Sequence, residues 1–304
     1  MQELTFPAFD NPAQFDAFHD DPAAWRPLME ALVRAQGWTG DWQPAGEGTV
    51  LVALLGQVEV LKLYPPFLRD HWAFERGLMP RLHGRLSLPT PELLASGEAQ
   101  GWSWTRMSFL PGRLMEAVWA QWEEPLRLRA LRRIGELIRE VHALPVGAQA
   151  SLAPNWGDFI ARQRAGCFAR QQRTGLPAHL LAELPAFLDG PIPSGPDVLL
   201  TGEYAPMNLL VDEAGELSGM FDFGDGLVGP SAYDWLGPLT FLAAGRASRV
   251  QALFDGLAMP RPAPDALMRL FLLHRYSCLR IQLRDVEGWQ REQNLSALAQ
   301  RLFG

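Results

Sequence analysis

The chain has 304 residues, 48% hydrophobic and 20% charged, the make-up of a globular protein with a sizeable core and room for two domains or two lobes. Its formal net charge is −7, and residues 1–41 hold most of that excess; no basic patch with interleaved aromatics marks a nucleic-acid partner. No apolar run reaches the ~20 residues that span a bilayer, the first basic residue is Arg26, too late for a signal-peptide n-region, and Cys167 and Cys278 form no metal or redox spacing, so a cytoplasmic protein without a membrane partner is expected.

Residues 12–37 carry apolar positions three and four apart and end on a glycine, which predicts a helix. Val50–Leu55 and Val58–Tyr64 read as two strands turning at Gly56-Gln57. After Pro65-Pro66 the stretch Phe67–Leu82 has helical periodicity, and Leu93–Gly97 and Trp102–Phe109 read as strands. Leu110-Pro111-Gly112 is a break. Arg113–Leu144 is predicted helical and stopped by Pro145, with further helices at Trp156–Arg173 and His179–Leu188. A Pro/Gly-rich stretch then leads into short strands at Val198–Leu200, Asn208–Val211 and Leu217–Phe221, the last two pairing around Glu213-Ala214-Gly215. From Tyr233 on the pattern is helical, apart from a loop at Met259–Pro264. The expected architecture is α+β: a small antiparallel sheet lobe over residues 1–108 and a larger, mainly helical lobe over residues 109–304.

Of the 27 lysines and arginines, 26 are arginine, and Lys62 is the only lysine. A lysine kept where arginine fills every other basic position fits a site that needs a compact point charge, such as one against phosphate oxygens. Chance accounts for one remaining lysine equally well, so Lys62 gains meaning only from its company. Phosphoryl transfer asks a protein for a lysine on the phosphates, oxygen ligands for magnesium and a carboxylate near the attacking hydroxyl. Those groups follow in order. Glu75, on the helix after the lysine strand, is placed to pair with Lys62. Asn208 offers a carbonyl oxygen and Asp222, in Asp222-Phe223-Gly224-Asp225 at a strand end, a carboxylate, both suited to hard magnesium.

The run LLTGEYAPMNLLVDEAGELSGMFDFGDGLVGPSAYDW resembles the catalytic segment of the aminoglycoside phosphotransferase and choline kinase-like family, typically His-Gly-Asp, four residues, Asn, a hairpin, Asp-Phe-Gly, then Tyr-Asp. Upstream, VEVLKLY resembles that family's lysine strand, WAFERGLMPRL its glutamate helix, MSFLPG its hinge and RIGELIREVHALP the helix before the catalytic region, so the resemblance covers roughly residues 45–240. It implies a protein-kinase-like two-lobed fold that binds ATP and magnesium and moves the γ-phosphate to a hydroxyl of a small molecule. It also implies Lys62 and Glu75 on the phosphates, Met107 and Phe109 at the adenine, Asn208 and Asp222 on the metal, and a bracing role for Asp234. Two positions depart from the family pattern: Thr201 stands where the histidine falls, and Glu203 where the catalytic aspartate falls. Glu203 remains a carboxylate, one methylene longer. The alternative reading is therefore a pseudokinase, a nucleotide-binding regulatory protein on the same scaffold. Glu47, in Gly46-Glu47-Gly48, falls where a phosphate-covering loop is expected. Met107 and Phe109 also read as plain core, His142 as a helix-end histidine satisfying nearby carbonyls, and the tryptophans of the second lobe as packing.

Overall fold

The computed structural model describes residues 5–9, 12–45, 48–56, 58–202 and 204–304. The chain divides into two compact units, one taking in the chain up to His83 together with Thr90–Leu110, the other Gly84–Pro89 and Pro111–Gly304.

In the first unit the helix expected over residues 12–37 is two helices, α1 (Pro12–His19) and α2 (Pro22–Ala35). The break falls at Asp20-Asp21 because the Asp21 side chain accepts from the Ala23 amide at 3.0 Å and caps α2, a competing local bond that an Asp offers readily. Strands β1 (Trp42–Ala45), β2 (Leu51–Leu55) and β3 (Glu59–Tyr64) follow, then α3 (Arg69–Leu82), β4 (Leu93–Ala99) and β5 (Trp102–Ser108). The strands form one antiparallel sheet in the order β1-β2-β3-β5-β4. The sequence pattern missed β1, whose Trp-Gln-Pro-Ala carries no alternation to read. The turn residue Gln57 lies outside the described residues.

Alternation along the strands gives the sheet two distinct faces. Leu51, Ala53, Leu55, Leu61, Leu63, Trp102 and Trp104 form one core with Trp25, Leu28, Met29 and Leu32 of α2. Their neighbours in sequence point the other way: Val50 and Tyr64 pack with Trp72 of α3. Val52 and Thr105 lie directly opposite Lys62 in the ladder.

The second unit begins with β6 (Arg113–Leu114), α4 (Met115–Trp119) and α5 (Glu124–His142). The helix expected from 113 to 144 is thus broken around Ala120–Glu123. Helices α6 (Trp156–Arg173) and α7 (Ala178–Leu188) come next, then β7 (Asp197–Leu200), β8 (Leu209–Val211), β9 (Leu217–Met220) and β10 (Leu227–Pro230). Strands β6, β8 and β9 form one small sheet and β7 pairs with β10. Asn208 ends a 3₁₀ turn, Pro206–Asn208, instead of starting β8. The C-terminal region holds α8 (Ala247–Leu257), α9 (Pro264–Leu272), α10 (Leu279–Gln282) and α11 (Leu295–Phe303), preceded by a π-helical turn at Pro238–Ala243. Helix α5 buries Leu131, Ile134, Ile138 and Val141 at three- and four-residue spacing and meets α8 backbone to backbone. A Cβ on Gly256 would overlap the Arg132 carbonyl, and one on Gly135 the Leu253 carbonyl. Among the described residues no helix is long and apolar enough to cross a membrane.

Candidate functional site

The first unit brings two of the expected residues into contact. Lys62 lies in β3 and Glu75 in α3, and the ammonium sits 2.8 Å from the carboxylate. Both side chains are buried, at 7% and 0% exposure, so neither charge is compensated by water. Tyr64 donates its hydroxyl to the second Glu75 oxygen. Sequence reasoning did not single out Tyr64, although the signal was present: in a strand, residue i+2 returns to the face of residue i. Glu75 is thereby held at both oxygens, and the ammonium is fixed by its partner and by the strand. Met107 is buried and pairs with Val60 in the ladder, which puts it on the face of Lys62. Phe109 is 37% exposed, with its amide donating to the Val58 carbonyl at 2.9 Å. Burial alone would have suited both residues to a core; only Met107 is so buried. Glu47 lies outside the described residues.

The second unit assembles the other two. The Phe221 amide donates to the Asn208 carbonyl at 3.1 Å, continuing the pairing of Leu209 with Met220. Asn208 and Asp222 therefore leave the same end of the β8–β9 hairpin as neighbours. Asn208 is buried and Asp222 half-buried. Asp222 has φ +68°, a left-handed conformation that Asp and Asn tolerate better than most residues. Such a setting is typically held where the surroundings require it; here the chain turns sharply out of β9 while Phe223, fully buried, anchors the turn. An amide oxygen and a carboxylate make a hard donor set. Magnesium usually takes one or two carboxylates and completes its shell with water and phosphate oxygens, so this pair fits it. Among the described residues no cluster of three His, Cys, Asp or Glu forms an all-protein metal cage.

Glu203 lies outside the described residues, but its neighbours show how the loop is secured. The Asp234 carboxylate accepts from the Thr201 amide at 3.2 Å and the Gly202 amide at 3.0 Å. It also meets His142 Nε2 at 2.9 Å. The His142 ring therefore serves the Asp234 carboxylate and not the helix-end carbonyls expected for it: helix α5 aims it at the loop, and a buried carboxylate is the stronger partner. Asp234, 1% exposed, takes the Thr201 amide and His142 on Oδ2 and the Gly202 amide on Oδ1. Gly202 has φ +92°, and a Cβ there would run into the Asp225 backbone. The loop before Glu203 thus touches the segment after Asp222 directly, and only glycine permits it. Tyr204 follows, fully buried, and burial pushes its phenol well above the ordinary range, so it is neutral packing. The Asp225 carboxylate accepts from Arg275 Nη1 at 2.8 Å and from the Tyr276 hydroxyl at 2.7 Å. Neither Arg275 nor Tyr276 carried a sequence signal, since each lies about fifty positions from Asp225.

Fold and site together define a class of protein: two lobes of the protein-kinase type, an antiparallel sheet with its buried lysine–glutamate pair and a mainly helical lobe with an Asn–Asp hairpin end and a braced loop. A model of the phosphotransferase enzyme family matches residues 43–268, and the chain belongs to that family. Among solved structures it is similar in fold to aminoglycoside 2'-phosphotransferase-IIIa in its GDP complex, at 18% identity and TM-score 0.67, covering 90% of this chain and 97% of that one. It is also similar to the macrolide 2'-phosphotransferase MphH from Brachybacterium faecium, at 22% identity and TM-score 0.58, with 90% and 97% covered. A third is the aminoglycoside phosphotransferase APH(3'')-Id from Streptomyces rimosus in complex with ADP and streptomycin, at 15% identity and TM-score 0.62, with 82% and 98% covered. No curated protein matches the chain.

Proposed function

We propose that the protein is an ATP- and magnesium-dependent phosphotransferase that moves the γ-phosphate of ATP to a hydroxyl of a small molecule. The observation that carries this reading is the buried Lys62–Glu75 pair, in which a lysine is held rigid in a chain that uses arginine everywhere else. Glu75 fixes the ammonium, and the ammonium binds the nucleotide's phosphates. Met107 and Phe109 line the adenine. Asn208 and Asp222 hold magnesium, which when bound offsets the negative charge of the phosphate oxygens. The Glu203 carboxylate orients the acceptor hydroxyl and takes its proton. The acceptor oxygen then forms its bond to the γ-phosphorus as the bond to the β–γ bridging oxygen breaks, and ADP leaves with that electron pair. Asp234 and His142 keep the loop in place and take no part in bond making.

The solved structures similar in fold include complexes with GDP, ATP, kanamycin, gentamicin and streptomycin, and a macrolide phosphotransferase. ATP and GTP, aminoglycosides, macrolides, sugars and amino alcohols are therefore the compounds to offer. Magnesium-dependent thermal stabilisation by ATP, with nucleotide turnover in the presence of one of these acceptors, is the expected result. Turnover that survives Glu203→Gln unchanged would remove Glu203 from its role. Thr201 and Glu203, where the family pattern has histidine and aspartate, sustain one other reading: stabilisation by ATP with no turnover against any acceptor would mark a nucleotide-binding regulatory protein. No stabilisation by any nucleotide would overturn both.

A further inference from the structure

The turn that carries Asp222 is held at its ends by strand pairing and along its length by side chains. Met220 of β9 pairs with Leu209 and Leu227 of β10 with Leu200, which leaves residues 221–226 to cross from one small sheet to the other. The Gly226 amide donates to the Phe223 carbonyl at 3.2 Å, and the Phe223 ring is buried. Asp225 is another anchor. Its Oδ1 accepts from Arg275 Nη1 at 2.8 Å and from the Tyr276 hydroxyl at 2.7 Å, and its backbone lies so close to Gly202 that a Cβ there would overlap it. Arg275 and Tyr276 come from a segment that is itself fixed on both sides by α6. The Leu272 carbonyl accepts from Arg170 Nη2 at 3.0 Å and from Cys167 Sγ at 3.3 Å, while Gln171 Nε2 donates to the Ser277 carbonyl at 3.2 Å and to its hydroxyl oxygen at 2.8 Å. Between these two points the Arg275 amide donates to the Tyr233 hydroxyl at 3.1 Å, Tyr233 stacks on His274 with ring centroids 4.7 Å apart, and the Arg275 guanidinium lies over Phe159, 5.7 Å from the ring centre.

We infer that Arg275 and Tyr276 are positioning residues for the metal site, clamping the Asp225 carboxylate so that the turn presents the Asp222 carboxylate in one place. This rests on the proposed magnesium role of Asp222 for its effect on the nucleotide, though not for its effect on the turn. Asp222 sits at φ +68°, a conformation that an aspartate keeps where its surroundings impose it, and the clamp three positions further on supplies part of that constraint. Arg275 and Asp225 are only 19% and 18% exposed, so salt screens the pair less than one on the open surface, and a bond between charged groups is the stronger kind. Magnesium demands near-ideal octahedral geometry. Loss of a group that orients a metal ligand from outside typically lowers metal affinity about 10- to 100-fold, so a loosened turn raises the magnesium concentration required and leaves the metal-independent contacts of the nucleotide alone.

Three variants separate this role from plain packing. Arg275→Met removes charge and donor, Arg275→Lys keeps the charge, and Tyr276→Phe removes one hydroxyl from a side chain that is 40% exposed and leaves the fold intact. In the full-length protein, backbone hydrogen exchange over residues 221–227 is expected to accelerate at least about tenfold in Arg275→Met and about threefold in Tyr276→Phe, and to return close to wild type in Arg275→Lys. The magnesium concentration that gives half of the thermal stabilisation by ATP is expected to rise in the same order, about tenfold, about threefold and little, while ATP affinity in EDTA stays within about twofold. A residue that only supports the fold would lower the unfolding midpoint and leave that magnesium concentration where it is. Unchanged exchange in Arg275→Met and Tyr276→Phe, or accelerated exchange with an unchanged magnesium requirement, would overturn the inference. If Arg275→Met does not fold, Tyr276→Phe decides by the same two readings. If ATP stabilises the wild type equally with and without magnesium, the proposed function fails at that point, while the exchange comparison still decides whether the clamp fixes the turn.

Discussion

Two stretches of this protein hold charged groups in place by opposite means. Around Lys62 the work is done by regular elements: a strand and a helix 13 positions apart in sequence set an ion pair, and strand alternation adds Tyr64. Around Asp222 and the loop after β7, irregular backbone is held by side chains recruited from afar, His142 across 92 positions to Asp234 and Arg275 across 50 to Asp225. Regular elements position a group by their own periodicity and need few supports. Loops have no periodicity, so each peptide must be tied by a separate bond, and the ties come from wherever the fold passes close. The first arrangement concentrates its risk in one buried pair; the second distributes it over Asp234, His142, Arg275 and Tyr276.

The largest effect is expected from Asp222→Asn. Asparagine tolerates the left-handed conformation as aspartate does, so the turn and the unfolding midpoint should be retained. The lost carboxylate charge removes several kcal/mol of phosphate-charge stabilisation, on the order of a thousandfold in transfer rate. Magnesium-dependent stabilisation by ATP should disappear with it. A variant that kept that stabilisation would show that Asp222 is a turn residue and nothing more.

On the other side of the comparison, removing half of a buried ion pair strands its partner. Lys62→Met is expected to destabilise the protein by about 3–5 kcal/mol, because the buried Glu75 carboxylate loses the ammonium that lies 2.8 Å from it. Adding Glu75→Gln should return much of that loss, since the stranded charge goes with it. Chemical denaturation of the four proteins in the cycle measures the coupling, and additive effects would mean that the 2.8 Å contact is not an energetic unit. Nucleotide binding should be lost in both Lys62→Met and the double variant, which separates the stability role from the phosphate role.

The same contrast explains what could be read in advance. The lysine strand, the glutamate helix and the Asn–Asp hairpin are local patterns of two to fifteen residues, and their placement follows from alternation and helical spacing. What alternation left unresolved was the face of Lys62, because Val58, Glu59, Val60 and Leu61 do not alternate cleanly. The ladder resolves it: Leu61 and Leu63 go under α2, so Lys62 and Tyr64 turn the other way. His274 could not have been found this way. The ring it stacks on, Tyr233, is a packed tyrosine with no charge to complement, and the bond it accepts comes from the Tyr276 backbone amide, a group nearly every residue possesses. The N-terminal helix was read as one because the apolar spacing runs through Asp20-Asp21, and only the cap at Asp21 interrupts the backbone.

His274, buried and stacked on Tyr233, offers a test through acid. Burial depresses the imidazole from about 6.5 to about 4, with Asp225 opposing that shift and Arg275 and Arg170 adding to it. Between those two values the unfolded chain binds the proton and the folded chain does not. The contribution is therefore complete above pH 6.5 and is lost as pH falls toward 4, by up to roughly 3 kcal/mol. Comparing denaturation of the wild type and His274→Gln across that window should show a shallower acid decline in the variant. Equal slopes would mean that the ring is solvated in the folded protein.

The smallest effect is expected from Asp21→Ala, and it sharpens the comparison by leaving both sites alone. Asp21 caps α2 through the Ala23 amide, and loss of such a cap costs about 1 kcal/mol. Helix α2 covers the sheet face formed by Leu51, Ala53, Leu61 and Leu63, opposite to the face of Lys62. A cap that frays should lower the unfolding midpoint slightly, and Asp21→Ser should restore it, while the affinity for ATP stays within about twofold in both variants. If Asp21→Ala instead weakened ATP binding tenfold, the two faces of the sheet would be coupled, and the ion pair of Lys62 and Glu75 could not be the self-sufficient anchor that its geometry describes.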